Sequence, residues 1–367
     1  MKQRILFVAF KKYNSILEGG GIANARSVSM AKQILGMNNV DVFYMNDEDK
    51  RPSVLHLAQS ASLLPFGYWN GVTPQKIDSL LAKCQNYDMI FICSSVMGIV
   101  AKRLRESGYK GRIISFFHNV ESDYYEARVP KYLPLRNIII RCARLNDKYS
   151  MVYADVKIAL TSRDAEKLEK TFGNKIDYIV PVTFPDKCAD TVFDQESLTS
   201  RRPLCLFIGS NFPANAEGVL WFVENVLPHV DIDFRVVGKG MGELKRHKCM
   251  ADIDVMSDVA DLAPYFLEAD FMVLPVFSGS GMKVKTCEAL MYGKNIIGSS
   301  ETFVGYDIDT QKCGRKCDTA GQYIEALNYF KDYPVKRFNA YSRDVFLKKY
   351  SEQVALNMFR DIFDSND

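Results

Sequence analysis

The densest chemistry in this sequence lies at Phe277-Ser278-Gly279-Ser280-Gly281-Met282-Lys283-Val284-Lys285-Thr286-Cys287-Glu288, a glycine and serine turn between an apolar run ending at Pro275 and a helical stretch. Such a turn offers backbone amides, hydroxyls and a helix N-terminus to a phosphate. Beyond it Lys285, Glu288, Ala289 and Tyr292 fall at i, i+3, i+4 and i+7, so Lys285 and Glu288 share one helix face. A lysine at the turn with a carboxylate one turn deeper can hold a diphosphate and a ribose together. The same two residues also fit a surface ion pair worth about 0.3 kcal/mol. For Lys283, two positions away, a solvated reading is nearly as good as a functional one.

Two further features sit at expected strand ends. His118 closes the apolar run 113–117 and opens the polar stretch Asn119-Val120-Glu121. A histidine there can serve a reaction, although it is more often a hydrogen-bonded strand-end residue. Gly19-Gly20-Gly21 follows the first apolar run and precedes a helix expected from about residue 22. It would let backbone amides approach an anion, yet its order is not G-x-G-x-x-G, and a loop with no ligand accounts for it equally well. Asp-Ile-Asp recurs at 231–233, 252–254 and 307–309 without a nearby glycine turn, and Cys313 and Cys317 lack a second Cys/His pair. Neither a divalent cation nor zinc is supported by those spacings, so no metal is expected. A G-x-S-x-G elbow and a phosphate-binding P-loop are absent, against a serine hydrolase or a P-loop NTPase.

The elements that must position these residues alternate along the whole chain. Short apolar runs at 5–10, 40–44, 89–93, 113–117, 156–160 and 178–182 read as strands, with helices near 22–36, 75–84, 96–107, 135–153 and 163–172. A polar, proline-bounded stretch over 184–203 reads as a linker, after which the alternation restarts: strands at 204–208, 234–237, 254–256, 271–275 and 295–298, helices at 214–226 and 282–292. This is the pattern of parallel sheets built from βαβ units. The expected architecture is α/β, with two Rossmann-like doubly wound domains, an N-terminal one over 1–185 and a C-terminal one over 200–340. A last helical stretch, 336–362, is expected to return its end, about 345–367, to the first domain. Two such domains facing each other would leave a cleft at the carboxyl ends of their strands, where ligands of open α/β sheets bind.

Composition agrees with that class. The 367 residues suffice for about two domains, 47% are apolar and 25% charged, and 47 basic against 44 acidic side chains leave +3. So even a balance does not suit a dedicated nucleic-acid binder. Nine scattered cysteines, several inside apolar runs, read as reduced core thiols of a cytoplasmic protein. The start MKQRILFVAF reads as a first strand rather than a signal peptide, and no run reaches the roughly 18 apolar residues of a membrane span. Membrane contact would be peripheral, at the inner face: the basic stretch 131–148 mixes Arg and Lys with Leu and Ile and could rest on anionic lipid, although a core helix with a solvated basic face is slightly preferred.

The stretch PVFSGSGMKVKTCEALMYGKNIIGSSETFVGYD resembles the donor site of group 1 glycosyltransferases, family 4. The resemblance extends through the GGG stretch, HNVES, ADVKIALTSRDAEKL, residues 177–181, LFIGSNFPANAEGVLWFVENVLP and FRVVGKG, all in the family's order. It implies a GT-B fold and a retaining, metal-independent glycosyltransferase without a cofactor, moving a sugar from a nucleotide-diphosphate sugar to a glycan or lipid-linked acceptor. Biosynthesis of surface polysaccharide is the expected setting. It further implies that Glu288 binds the donor ribose, that His118 lies near the transferred sugar, and that Lys285 neutralises the leaving diphosphate. Lys283, Ser280, Gly281, Met282 and Gly209 would complete the donor site, and Gly19, Gly20 and Gly21 would face diphosphate and acceptor.

Two departures stand out. The first Glu of the family's E-x7-E would fall at 280, which is Ser280, and the Arg and Lys pair common after the first C-domain strand is replaced by Ser210 and Asn211. More of the positive charge therefore rests on Lys285 and Lys283. With no carboxylate evident for double displacement, the resemblance favours attack by the acceptor hydroxyl on the face the diphosphate leaves, stabilised by lysines and amides. The competing readings are another GT-B enzyme, such as a nucleotide-sugar epimerase, and a non-catalytic sugar-nucleotide-binding scaffold.

Overall fold

A computed structural model describes residues 3–10, 19–46, 60–69, 71–189, 191, 202–279, 281–332 and 336–365. Contacts divide it into two compact units, Met1–Pro181 with Leu356–Asp367, and Val182–Ala355.

The first unit holds β1 (Ile5–Ala9), β2 (Val40–Tyr44), β3 (Met89–Ile92), β4 (Arg112–Phe117), β5 (Val156–Ala159) and β6 (Tyr178–Ile179), all parallel, in the order β2-β1-β3-β4-β5-β6. The second holds β7 (Leu204–Ile208), β8 (Asp233–Gly238), β9 (Asp254–Ser257), β10 (Phe271–Leu274), β11 (Asn295–Gly298) and β12 (Gly314–Lys316), also parallel, in the order β12-β11-β10-β7-β8-β9. Central strands such as ILFVA, MIFI, LCLFI and FMVL are buried at every position, because helices cover both faces of a parallel sheet.

Aspartates pin the amino ends of the strands. Asp88 accepts from the Arg4 amide, Asp155 from Ile113, Asp177 from Lys157 and Asp270 from Leu204, each at 2.7 Å. The amino ends are thus tied together by structural carboxylates, and the carboxyl ends are left to the loops that carry the candidate residues.

Three expectations change. Gly19–Gly21 form no loop before a helix; they are the first turn of the helix Gly19–Leu35. The stretch from Phe184 begins inside the second unit, with Phe184 and Cys188 in its core. The terminal stretch is not one helix but Ala340–Val345, a π turn Phe346–Tyr350 and Glu352–Asp364. The break has a tertiary cause: the Phe184 amide donates to the Tyr350 carbonyl at 3.0 Å and the Glu352 amide to the Phe184 carbonyl at 2.8 Å, a bridge that no local proline or glycine announces.

Candidate functional site

In the second sheet β7 and β10 are neighbours, but β7 leads outward through β8 and β9 while β10 leads the other way through β11 and β12. The loops leaving these two strands diverge, which opens a crevice at their carboxyl ends, the switch point where open α/β sheets bind ligands. After β7 comes Gly209, whose amide donates to the Val237 carbonyl at 3.0 Å, then Ser210 and Asn211, and the helix Pro213–Asn225. After β10 comes the glycine turn, with φ +130° at Gly279 and +62° at Gly281, conformations that suit glycine alone, and then the helix Val284–Met291.

Lys285 joins the two loops. Its Nζ donates to Oδ1 of Asn215, and it stands 4.5 Å from the centre of the Phe207 ring. Asn215 in turn donates from Nδ2 to the Ser210 carbonyl at 2.8 Å. Burial above all, and the Lys283 charge with it, lower Lys285 to about 7 against the opposing charge of Glu288. The ammonium therefore changes its charge near neutrality and is stabilised by any anion that arrives beside it.

Lys283 is not a solvated lysine. Only 11% of its side chain is exposed, and its Nζ donates to Glu301 Oε1 at 2.7 Å and to the Gly281 carbonyl at 3.2 Å, while the Tyr306 hydroxyl donates to the Lys283 carbonyl at 2.8 Å. Glu301 follows β11 and was not anticipated, because 18 residues separate it from its partner. Glu288 is half-buried one turn beyond Lys285 and close enough for its charge to act on both Lys285 and Tyr292. Met282 turns its side chain into the core, with Sδ 3.3 Å from the Val182 amide, so only its backbone could serve a ligand. Ser280 lies outside the described residues.

In the first unit the strand ends are arranged differently. His118 is buried against Phe116, ring centres 4.5 Å apart, and its Nε2 lies 2.9 Å from the Cys93 carbonyl. A carbonyl only accepts, so Nε2 carries the proton and Nδ1 keeps a lone pair. Burial lowers His118 to about 4, which keeps it neutral. Three residues on, Glu121 opens the helix Glu121–Arg128 and is itself buried. Its carboxyl is raised to about 8 by burial and by Asp147, which burial raises to about 7. Asp147 lies on the helix Arg136–Tyr153 and accepts from Ser95 Oγ and the Ser122 amide, both at 3.1 Å. The sequence reading missed Glu121 and Asp147; their signal was a carboxylate on the buried face of each helix. The structure thus brings Lys283, Lys285, Glu288 and Gly209 to one strand-end region of the second unit, and places His118 and the glycine-led helix Gly19–Leu35 in the first. Among the described residues no group of three or more His, Cys, Asp or Glu is arranged to hold a metal ion.

Comparison with known proteins gives this geometry a fold, and gives its second unit a family match. HepE of Anabaena, in complex with UDP, superposes with a TM-score of 0.67 at 11% identity over 98% of this chain and 99% of its own. Sucrose-phosphate synthase from Thermosynechococcus elongatus gives 0.66 at 15% over 98% and 99%, and the lipopolysaccharide outer core galactosyltransferase WaaB 0.66 at 13% over 98% of each chain. At such identities the likeness establishes the GT-B fold. Residues 202–328, which hold Gly209, the glycine turn, Lys285 and Glu288, match the family Glycosyl transferases group 1. The family match thus lies within the second unit. No curated protein sequence matches it.

Proposed function

We propose that the chain moves a sugar, with retention at its anomeric carbon, from a nucleotide-diphosphate sugar to a glycan or lipid-linked acceptor in the synthesis of a surface polysaccharide. The observation that carries the reading is Lys285, a lysine poised near neutrality at the switch point of a family-matched sheet. When the C1–O bond to the diphosphate breaks, negative charge grows on the departing oxygen, and a partly buried ammonium stabilises it far better than an exposed one would. Lys285 does this in our reading, and Glu288 holds the ribose. Gly281, Met282 and Ser280 offer backbone amides. The acceptor hydroxyl forms the new C1–O bond on the face the diphosphate leaves and passes its proton to the departing phosphate oxygen. His118, neutral and with Nδ1 free of its own proton, accepts a hydrogen bond from a sugar hydroxyl. Lys283, tied to Glu301, shapes the turn and adds its field to that of Lys285.

This reading asks for no metal or other cofactor. It also gives a use to the exposed start of the basic helix: Tyr132, Leu133, Leu135 and Ile138 are exposed beside exposed Lys131, Arg141, Arg144 and Lys148, a surface suited to the inner face of an anionic membrane.

The first test is calorimetry with UDP, GDP and ADP against the wild type and Glu288→Ala. HepE was crystallised with UDP and with UDP-glucose, so uridine nucleotides head the series. One nucleotide should bind and lose at least tenfold in affinity in the variant. No binding by any of them would sink the donor site, and donor hydrolysis that inverts the anomeric carbon would sink retention. Turnover that a chelator abolishes would overturn the metal-free reading.

A further inference from the structure

The lysine that faces the donor phosphates in this reading does not stand alone, and the way it is held is specific. Lys285 lies in the first turn of the helix Val284–Met291 that follows β10, and Asn215 in the first turn of the helix Pro213–Asn225 that follows β7, 70 residues earlier. Both oxygen and nitrogen of that carboxamide are committed. Oδ1 accepts from Lys285, and Nδ2 donates to the Ser210 carbonyl at 2.8 Å, which leaves the amide one orientation. The acceptor oxygen is thereby fixed on the ammonium. Opposite it lies Gly209, where a Cβ would stand 2.9 Å from Asn215 Nδ2 and 3.2 Å from Lys285 Nζ. The absence of a side chain at 209 is therefore what lets amide and ammonium share the end of β7.

We propose that Asn215 is the positioning residue for Lys285: its carboxamide, locked by Ser210 and admitted by Gly209, holds the ammonium across the switch point and keeps it protonated for the diphosphate. The assignment rests on the donor reading above for its use, but the coupling itself does not. It also explains how the site manages with Ser210 and Asn211 where a basic pair is common after the first strand of this domain: one lysine from the helix after the neighbouring strand is held there by an asparagine.

The groups that act on this ammonium are Asn215 and the Phe207 ring from the β7 side, and Lys283 and Glu288 from its own turn and helix. Lys283 and Glu288 are unchanged when only position 215 is altered, so a change in the lysine's proton affinity reports on the asparagine. Replacing the carboxamide with a carboxylate adds an opposite charge in contact, worth about one pH unit or more upward. Replacing it with leucine removes the acceptor and moves the affinity down.

Two measurements test this on the full chain. Competitive acetylation of Lys285 by acetic anhydride, followed by mass spectrometry across pH, reads its proton affinity with no ligand present. The wild type should break near 7, Asn215→Asp higher and Asn215→Leu lower. Calorimetry with UDP-glucose, GDP-mannose and ADP-glucose, whose esterified diphosphates do not titrate near neutrality, should show affinity that is flat below the same break and falls above it, the break moving with each variant and vanishing in Lys285→Met. An acetylation break that stays put in both Asn215 variants overturns the proposal, even if nucleotide sugars bind. A break that moves while none of the three sugars binds supports the Asn215 coupling and overturns the donor reading instead.

Discussion

The two sheets share a strand count and a parallel topology, and both gather ionisable side chains at strand ends, yet they treat the charge in opposite ways. In the first unit burial removes it: His118 is neutral, and Glu121 and Asp147 are raised so far that they hold protons near neutrality. In the second unit burial also lowers Lys285, to about 7, but both cations have polar partners, Lys283 with Glu301 and Lys285 with Asn215. The same fold can therefore present hydrogen-bonding groups without charge at one set of strand ends and a managed cation at another. An uncharged surface suits sugar hydroxyls, and a cation suits a diphosphate.

The sharpest way to break this contrast is to remove the cation. Lys285→Met should lower kcat for sugar transfer by about 100-fold or more, the scale on which a donor to a developing anion matters. His118→Ala should cost less, about tenfold, since it removes one hydrogen bond to a hydroxyl. If the histidine variant were the more damaged in steady-state kinetics, the roles given to the two units would be reversed.

Partnering in the second unit predicts a stability pattern. Lys283→Met leaves the Glu301 carboxylate, 17% exposed, without that ammonium and should destabilise by about 2 kcal/mol, whereas Lys283→Met with Glu301→Leu should recover most of the loss. Urea unfolding followed by Trp221, which packs 4.6 Å from Phe277, reads this unit when Trp69 is replaced by Phe.

In the first unit the same burial makes stability depend on pH. The folded state binds protons at Glu121 and Asp147 up to about 8 and 7, while the unfolded chain releases them near 4.5 and 3.8, so this contribution declines as pH rises toward 8. His118 acts oppositely, and only between 6.5 and about 4, where the unfolded chain takes up a proton first. Between pH 6.5 and 8 the carboxyls act alone. Trp69, 4.8 Å from Tyr125, should report unfolding that becomes easier across that window, and Glu121→Gln should flatten the slope. A slope unchanged in the variant would show that Glu121 is already ionised. The smallest effect belongs to the surface: Leu135→Glu with Ile138→Glu should reduce sedimentation with phosphatidylglycerol vesicles about threefold and leave nucleotide binding untouched.

Much of the scaffold was legible because continuous apolar runs and amphipathic spacing are local properties. The strands at 40–44, 204–208 and 295–298 fall where the sequence placed them, and Lys285 and Glu288 share a face because three residues is nearly one helical turn. The short helix Glu121–Arg128 was not seen, since it is mostly polar and its one buried residue is Glu121. Likewise β12, three residues with an exposed end, has too little apolar signal to stand out.

What the sequence determined by itself, then, was the alternation of strand and helix, the glycine turn and the residue types gathered around it. Which charges survive was decided only by tertiary structure. Asn215 and Lys285 are 70 residues apart, Lys283 and Glu301 are 18 apart, and Ser95 and Asp147 are 52 apart. The first two pairs exist because the strands before them are neighbours in a sheet, and the third because the helix Arg136–Tyr153 packs on the turn after β3; burial, which sets whether a lysine, histidine or carboxyl keeps its charge, is a property of everything packed around the group rather than of the residues beside it in the chain.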